Sequence, residues 1–374
     1  MKVKLGDLIE EYSERNIDNK YKPVAVGKYG IRARESIYSK ELAKDYSKNK
    51  LIYKGTLTIG MGSNQIDIGI LRDDKIYSVS PAYHTYNIKI SNYDYLDYLL
   101  TANNNRMFSI YANRGSRQGK TLDLKRWLTD ELRLHDEKDQ KIIVQTLNAV
   151  KQLISQKEAE LVKLDNLIKA RFVEMFKGKY DSFKVDEKLK TTSGGTPKSS
   201  VSEYYDGGDI PWLTSGEVNY GGITKPSNYI TEKGLNNSSA KWVPENSIVI
   251  AMYGATAGKV GIVRYKTTTN QAVCSVLPND NFNQEFLRYA FQDISEELTS
   301  KAIGGGQPNI SQTIIKNSYI VDAPIEEQER FASFVKQVDK SKFVLSNELT
   351  MCDFYIRLIH DRVMHSRINL RVAQ

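Results

Sequence analysis

Cysteine is nearly absent from this chain of 374 residues, which holds only Cys274 and Cys352. They are too few, and too far apart in sequence, for a disulfide framework or a cysteine-rich zinc site, and a reducing cytoplasm is the expected setting. Histidine is equally scarce. His84, His135, His360 and His365 are scattered, and the last two stand five apart, a spacing that does not bring both to one helical face, so no metal site is expected. No run of about 18 apolar residues is present to cross a bilayer. The opening MKVKLGDLIEEYSE carries charges where a secretory signal needs its apolar segment, so neither membrane nor export is expected.

Catalytic signatures are missing too. Around Lys120 the chain reads Arg114-Gly115-Ser116-Arg117-Gln118-Gly119-Lys120-Thr121, with arginine where a phosphate-binding loop needs its leading glycine. Around Lys259 it reads Tyr253-Gly254-Ala255-Thr256-Ala257-Gly258-Lys259-Val260, which lacks both that glycine and the hydroxyl that would hold magnesium. No Gly-x-Ser-x-Gly elbow, HExxH or paired-cysteine motif occurs, and no two carboxylates pair convincingly in sequence order. The adenine-methylating Asn-Pro-Pro-aromatic string is also absent, which argues against a fused methyltransferase. These absences leave a reader of other molecules, or a scaffold.

What is present is an ordinary globular composition, 40% hydrophobic and 26% charged, with room for two or three domains. The charge is uneven. Residues 1–135 hold 23 Lys/Arg against 16 Asp/Glu, whereas residues 179–324 hold 14 against 15. A field able to attract a polyanion therefore belongs to the first globular part, and the second would have to bind one through a local patch.

The most informative positive feature is a duplication. Ser116–Lys177 superimposes without a gap on Gly304–His365, 188 positions later, placing Gln140 on Gln328, Leu147 on Val335, Val150 on Val338, Leu161 on Leu349 and Ile168 on Ile356. So long a period indicates a duplicated domain-plus-helix unit, because solenoid repeats run to a few tens of residues. Between Asp136 and Lys177 there is no glycine or proline, and Leu147, Val150, Ile154, Leu161, Leu164 and Ile168 recur at spacings of three and four. Val335, Val338, Leu345, Leu349, Ile356 and Ile359 repeat that seam. Each stretch is thus a long helix that requires a partner. Lys157, Arg171 and Lys342 interrupt the seams and are read as register devices or snorkelling stems. Acidic residues follow Asp136 and Pro324 in the first turns, and Gly178 closes the first helix.

The remaining segments are rich in Gly, Asn, Ser, Thr and Tyr. Short apolar runs bounded by turn residues predict strands at Lys50–Tyr53, Thr56–Ile59, Asp67–Leu71 and Ile76–Val79, then at Ser247–Met252, Val260–Tyr265 and Ala272–Leu277. Helical stretches are predicted at Tyr93–Asn103 and Asn283–Lys301, and Trp212 reads as core. The predicted order is a mixed domain (1–135), a helix (136–178), a second mixed domain (179–324) and a second helix (325–374).

Five strings occur in order in the second half: Ser193-Gly194-Gly195-Thr196-Pro197, then Gly208-Asp209-Ile210-Pro211-Trp212-Leu213-Thr214-Ser215-Gly216-Glu217, then Tyr253 to Gly261, then Asn270-Gln271-Ala272-Val273, and finally Pro324-Ile325-Glu326-Glu327-Gln328. Together they resemble the specificity (S) subunit of type I restriction–modification systems. The first part departs from this pattern, with Lys28-Tyr29-Gly30-Ile31 and Val79-Ser80-Pro81-Ala82-Tyr83 instead, and looks like a different target-recognition type. The resemblance implies an α+β fold: two mixed α/β target-recognition domains separated by two long antiparallel coiled-coil helices, with a pseudo-two-fold axis from the direct repeat. It implies a non-catalytic subunit that reads a split sequence in double-stranded DNA, one half per domain. Two methylating (M) subunits and the restriction (R) subunits would dock on it, and S-adenosylmethionine, ATP and magnesium would belong to those partners. The complex would be an adenine-N6 methyltransferase and ATP-dependent nuclease of the bacterial or archaeal cytoplasm.

Candidate DNA contacts follow from side-chain chemistry, since arginine pairs with guanine edges, amides with adenine, and cations with phosphates. In the first domain these are Lys28, Arg32 and Arg34, then Ser63 and Asn64 beside a Gly60-Met61-Gly62 turn, and the basic loop of Arg114, Arg117 and Lys120. In the second they are Lys198, Thr214, Ser215, Glu217, Tyr253, Lys259, Asn270, Gln271 and Gln307. A structural protein whose helical seams assemble larger objects, on RNA or another surface, is the alternative class.

Overall fold

The computed structural model describes residues 1–37, 45–114, 120–302 and 309–365, with the backbone alone at 114 and 362–365. The chain forms two compact units: residues 1–157 with 348–374, and residues 158–347. Each unit takes one half of each long helix.

Unit 1 is built on a four-stranded sheet in the order β1 (Ile9–Tyr12), β6 (His84–Ile88), β4 (Thr56–Met61), β5 (Ile66–Ile70), where β2 (Val24–Gly27) and β3 (Gly30–Ala33) form a separate hairpin. All its neighbours run antiparallel, so consecutive side chains alternate between faces. Leu57, Ile59, Ile66 and Tyr86 point into a core closed by α1 (Tyr93–Tyr111), which contributes Tyr95, Leu96 and Leu99, and by the fully buried Trp127. The N-terminal half of α2 (Glu137–Phe176) adds Ile143 and Leu147 to the same core, and Ile356 and Ile359 pack beside them.

Unit 2 contains a five-stranded sheet in the order β7 (Thr191–Ser193), β13 (Val273–Val276), β10 (Ile248–Ala251), β11 (Val260–Val263), β9 (Gly222–Ile223). Its central strands are buried on both faces, which is why they read as unbroken apolar runs such as IVIA and VGIV. Ile248, Ile250, Val260, Ile262 and Cys274 face α3 (Gln284–Asp293) and the long helices. Val249, Ala251, Val263 and Val273 face a second, smaller core with Leu213 and Val243. That core is shared with a sheet of short strands, Tyr229–Ile230, β8 (Ile210–Leu213), β12 (Thr267–Thr269) and Trp242–Val243.

The two long helices, α2 and α4 (Ile325–His365), pair within each unit. In unit 2 the rings of Phe172, Phe176, Phe286 and Phe331 interlock at centroid separations of 4.9–5.9 Å, and Lys342 bonds Asp165 at 2.7 Å. In unit 1 Lys157 bonds Glu348 at 2.5 Å. In both, rising numbers on one helix meet falling numbers on the other, so the halves run antiparallel. Of the predicted seam, Leu147, Ile168, Val335 and Val338 are buried, and Val150, Ile154, Leu161, Leu164, Leu345, Leu349, Ile356 and Ile359 are half-buried. The interrupting lysines keep their stems on the seam and their ammonium groups on carboxylates, as snorkelling requires.

The duplication reaches further than the sequence match. Gln140 donates its side-chain amide to the His135 carbonyl at 2.9 Å, and Gln328 repeats this with the Ala323 carbonyl at 2.8 Å. Lys2–Lys4 pairs antiparallel with Glu131–Arg133, and Ser182–Lys184 does so with Tyr319–Val321. The Leu5 amide donates to the Asp130 carbonyl, as that of Val185 does to Ser318. Both units are therefore framed by the same strand pair leading into a helix.

Four local expectations are corrected. Gly60 and Met61 belong to strand β4, and the turn begins at Gly62, whose amide donates to the Gln65 carbonyl. The helix predicted over Asn283–Lys301 breaks at Ile294 into Gln284–Asp293 and Ser295–Ser300. Trp212 is half-buried, its indole N–H donating to the Gly195 carbonyl at 3.0 Å, so it staples a loop instead of filling the core. Helix α1 runs eight residues beyond its expected end, to Tyr111. Gly178 follows α2 at φ +71°, the left-handed stop expected of it.

Candidate nucleic-acid interface

In unit 2, strands β8 and β12 are parallel neighbours, with Leu213 in register with Thr269. The residues that leave their C-terminal ends, Thr214–Glu217 and Asn270–Gln271, therefore emerge side by side, and the Asn270 amide donates to the Leu213 carbonyl at 3.0 Å. A third segment joins them, since the Thr256 hydroxyl donates to the Ser215 carbonyl at 2.8 Å and so fixes the turn that begins at Tyr253. Tyr253 is exposed beside it. On the other flank the Thr196 hydroxyl donates to the Gln271 side-chain oxygen. Gly194 permits this closeness: a Cβ there would lie 1.8 Å from the Thr269 carbonyl oxygen.

Four of the five strings thus meet on one surface. Thr214, Ser215, Glu217, Tyr253, Asn270 and Gln271 are brought together by strand register and two hydroxyl bonds. Asn270 uses its side-chain oxygen on the Ala272 amide at 3.1 Å, which leaves its NH2 as a donor for an acceptor outside the protein. Glu217 is turned inward. Its carboxylate accepts from the Thr214 amide at 2.8 Å and hydroxyl at 2.9 Å, the Ser227 amide at 3.2 Å and the Asn228 side chain at 2.8 Å. This is a capping box, a role the Thr-x-x-Glu spacing carried and the functional reading passed over. Thr196, Thr256 and Asn228 were missed because each acts through a partner distant in sequence. Lys198 is exposed in the loop after Pro197, and Lys259 is half-buried at the start of β11.

In unit 1 the candidates fall into two groups along β5. Lys120 donates to the Ser63 carbonyl at 2.8 Å and lies over the Phe108 ring, so Ser63, Asn64 and Lys120 gather at the start of that strand. Lys28 and Arg32 lie in the β2–β3 hairpin, which packs over Ile68 and Gly69, and Arg34 follows it with its guanidinium over Tyr46. Beneath the hairpin is a cleft of about 890 Å³ in which Arg72 is held by Asp94 at 2.7 Å and Asp97 at 2.6 Å. Arg117, Gln307 and the Arg114 side chain lie outside the described residues.

This geometry has known relatives. Residues 177–350 match the family model described as the type I restriction modification DNA specificity domain. The chain is 30% identical over 165 residues to the type I restriction enzyme MjaIX specificity subunit of Methanocaldococcus jannaschii, covering 43% of this chain and 38% of that one. It is 25% identical over 216 residues to the EcoR124I/EcoR124II specificity subunit of Escherichia coli, covering 56% and 52%. These matches span from about two fifths to about half the length of the curated relatives. Among solved structures, a chain from work on complex assembly of the type I R-M system aligns over 97% of both chains with a TM-score of 0.61 at 16% identity. The type I S subunit of M. genitalium aligns over 98% and 96% with a TM-score of 0.52 at 13% identity. Residues 177–350 are thus similar to the type I DNA specificity domain, and the whole chain shares its fold with the S subunit of M. genitalium. Its sequence is similar to those of type I restriction–modification specificity subunits.

Proposed function

We propose that this chain is the non-catalytic, DNA-reading subunit of a type I restriction–modification complex. It selects a two-part sequence in double-stranded DNA, one part through each unit, and presents it to methylating and restriction subunits. S-adenosylmethionine, ATP and magnesium belong to those partners, and the assembly works in the cytoplasm where the DNA lies. The observation that carries this reading is the convergence of three separate segments onto one polar surface inside the specificity domain of unit 2. Thr214 and Ser215, Tyr253, and Asn270 and Gln271 supply donors, acceptors and an aromatic face on backbone that strand register holds in place, which is what base-edge recognition requires. The excess of 23 Lys/Arg over 16 Asp/Glu in residues 1–135 supports phosphate contact by unit 1. The names of the relatives, subunits of restriction enzymes, support the expectation of partners.

The test is to express the chain with a methylating partner and map methylated adenines across the host genome. Methylation at a single bipartite sequence is expected. An intact complex that modifies no particular sequence would end the proposal. Gel retardation of duplex and single-stranded DNA at several salt concentrations separates it from the scaffold reading, because phosphate-driven binding falls steeply with salt whereas specific recognition keeps a sequence-dependent remainder.

A further inference from the structure

The family match begins at residue 177, so it says nothing about how unit 1 meets its half of a target. One strongly basic segment in that unit is residues 15–34, with six Lys/Arg (Arg15, Lys20, Lys22, Lys28, Arg32, Arg34) and a single acid, Asp18. Glu14 and Glu35 flank it. The β2–β3 hairpin forms its second half. Its base is fixed: Val24 and Val26 are buried, Ile31 and Val26 seat on bare Gly69, and the Tyr83 hydroxyl donates to the Val26 carbonyl at 3.0 Å. Its tip is free of the core. Lys28 and Tyr29 occupy the two corners of the turn, and Gly30 at φ +77° takes the left-handed conformation that closes it.

At that tip Tyr29 is 70% exposed, an unusual position for a large ring. The Lys28 ammonium lies 5.5 Å and the Arg32 guanidinium 5.2 Å from its ring centre, so two cations are held beside one outward-facing aromatic. A solvated turn does not need that grouping. A two-stranded ribbon has the width to enter the major groove of duplex DNA, where flanking cations would meet phosphates and the ring would meet base edges and thymine methyl groups.

We propose that the β2–β3 hairpin is the groove-reading finger of unit 1, with Tyr29 as its specificity-determining residue and Lys28 and Arg32 as its phosphate clamps. This rests on the DNA-reading function proposed above. It is tested with the full chain and short duplexes carrying a randomised central segment, by measuring affinity at several salt concentrations and sequencing the bound fraction. Lys28→Ala and Arg32→Ala should each weaken binding to all members of the pool alike and lower the salt slope by about one. Tyr29→Ala should leave that slope unchanged, lose about tenfold in affinity for the selected sequences, and flatten base preference over one contiguous segment only. Tyr29→Phe should keep that preference. All three positions are exposed, so thermal unfolding should match the unchanged chain and serve as the folding control. If the unchanged chain selects duplexes and the three alanine variants match it in affinity, slope and preference, the finger is wrong and the function stands. If the variants lose single-stranded RNA or DNA but not duplex, the hairpin binds another nucleic acid and the inference fails. If the unchanged chain retains no duplex, the function falls and the finger with it.

Discussion

The Glu217 carboxylate accepts four hydrogen bonds from its own turn and from Ser227 and Asn228, which leaves it little capacity for a base. Glu217→Ala should destabilise unit 2 by roughly 1–3 kcal/mol, because the half-buried amide and hydroxyl of Thr214 lose their acceptor. Glu217→Gln should cost less, since an amide oxygen can replace the carboxylate oxygen that takes three of the four bonds. Both should weaken DNA binding equally for every sequence. A Glu217→Gln chain with normal melting and a changed preference at one base pair would show instead that this carboxylate reads cytosine. The histidines carry a second prediction. Burial holds the imidazoles of His135 and His360 below the usual value of 6.5, so the folded chain refuses protons that the unfolded chain accepts. Their contribution to stability is complete above the unfolded value of about 6.5 and is lost as pH falls below it through the depressed folded values. Both residues fall within unit 1, so unit 1 should loosen first on acidification towards about pH 5. Hydrogen exchange resolved by segment would follow this. Equal acid sensitivity in the two units, or an unchanged pH slope in His135→Gln, would refute it.

At the scale of elements, the seam and the ring cluster make different demands. Phe331 is fully buried against Phe172, Phe176 and Tyr289, whereas Phe354 on the same helix is 57% exposed. Phe331→Ala should therefore cost about 3–5 kcal/mol in chemical denaturation, and Phe354→Ala less than about 0.5 kcal/mol. Similar costs would mean that α4 does not pack as described. The long helices were the most legible part of the sequence, because a period sustained over forty residues, bounded by Pro324 and Gly178, has no competing reading. Seven strands were legible as short apolar runs, with ends off by one or two residues, whereas Ile9–Tyr12, His84–Ile88, the β2–β3 hairpin, Ile210–Leu213 and Thr267–Thr269 were not, because polar residues, glycine or proline interrupt their apolar pattern. The helix break at Ile294 gave no sign, since neither glycine nor proline marks it. The candidate interface was legible only as a set of strings. What joins Thr214 to Asn270 is the parallel pairing of β8 with β12, a long-range contact that no local pattern encodes, and what removes Glu217 from the surface is a bond to Asn228 eleven residues away. Tyr29 entered only as part of the Lys28-Tyr29-Gly30-Ile31 string, because its exposure depends on where the hairpin docks, which no local pattern encodes.

For the whole molecule, the two units share a frame but not a body. The strand pair leading into each helix, and the Gln140 and Gln328 bonds at the helix starts, are repeated closely, whereas the sheets they enclose differ in strand number and order. A duplicated frame with divergent contents is what two different half-sites would require, since the frame can be kept while the reading surfaces change independently. It follows that length in the helices and identity in the units should be separable. One heptad inserted within Lys151–Lys169 just after Lys157, with a matching heptad in α4 just before its partner Glu348 to keep the antiparallel seam in register, adds about 10 Å of helix at about 1.5 Å per residue. The sequences selected from a randomised duplex pool should then keep the same two base-specific segments and change only the number of unread base pairs between them, by about three at about 3.4 Å each. A selected sequence in which the bases themselves change would mean that the helices take part in reading, and a spacing that stays fixed would mean that something other than helix length sets it.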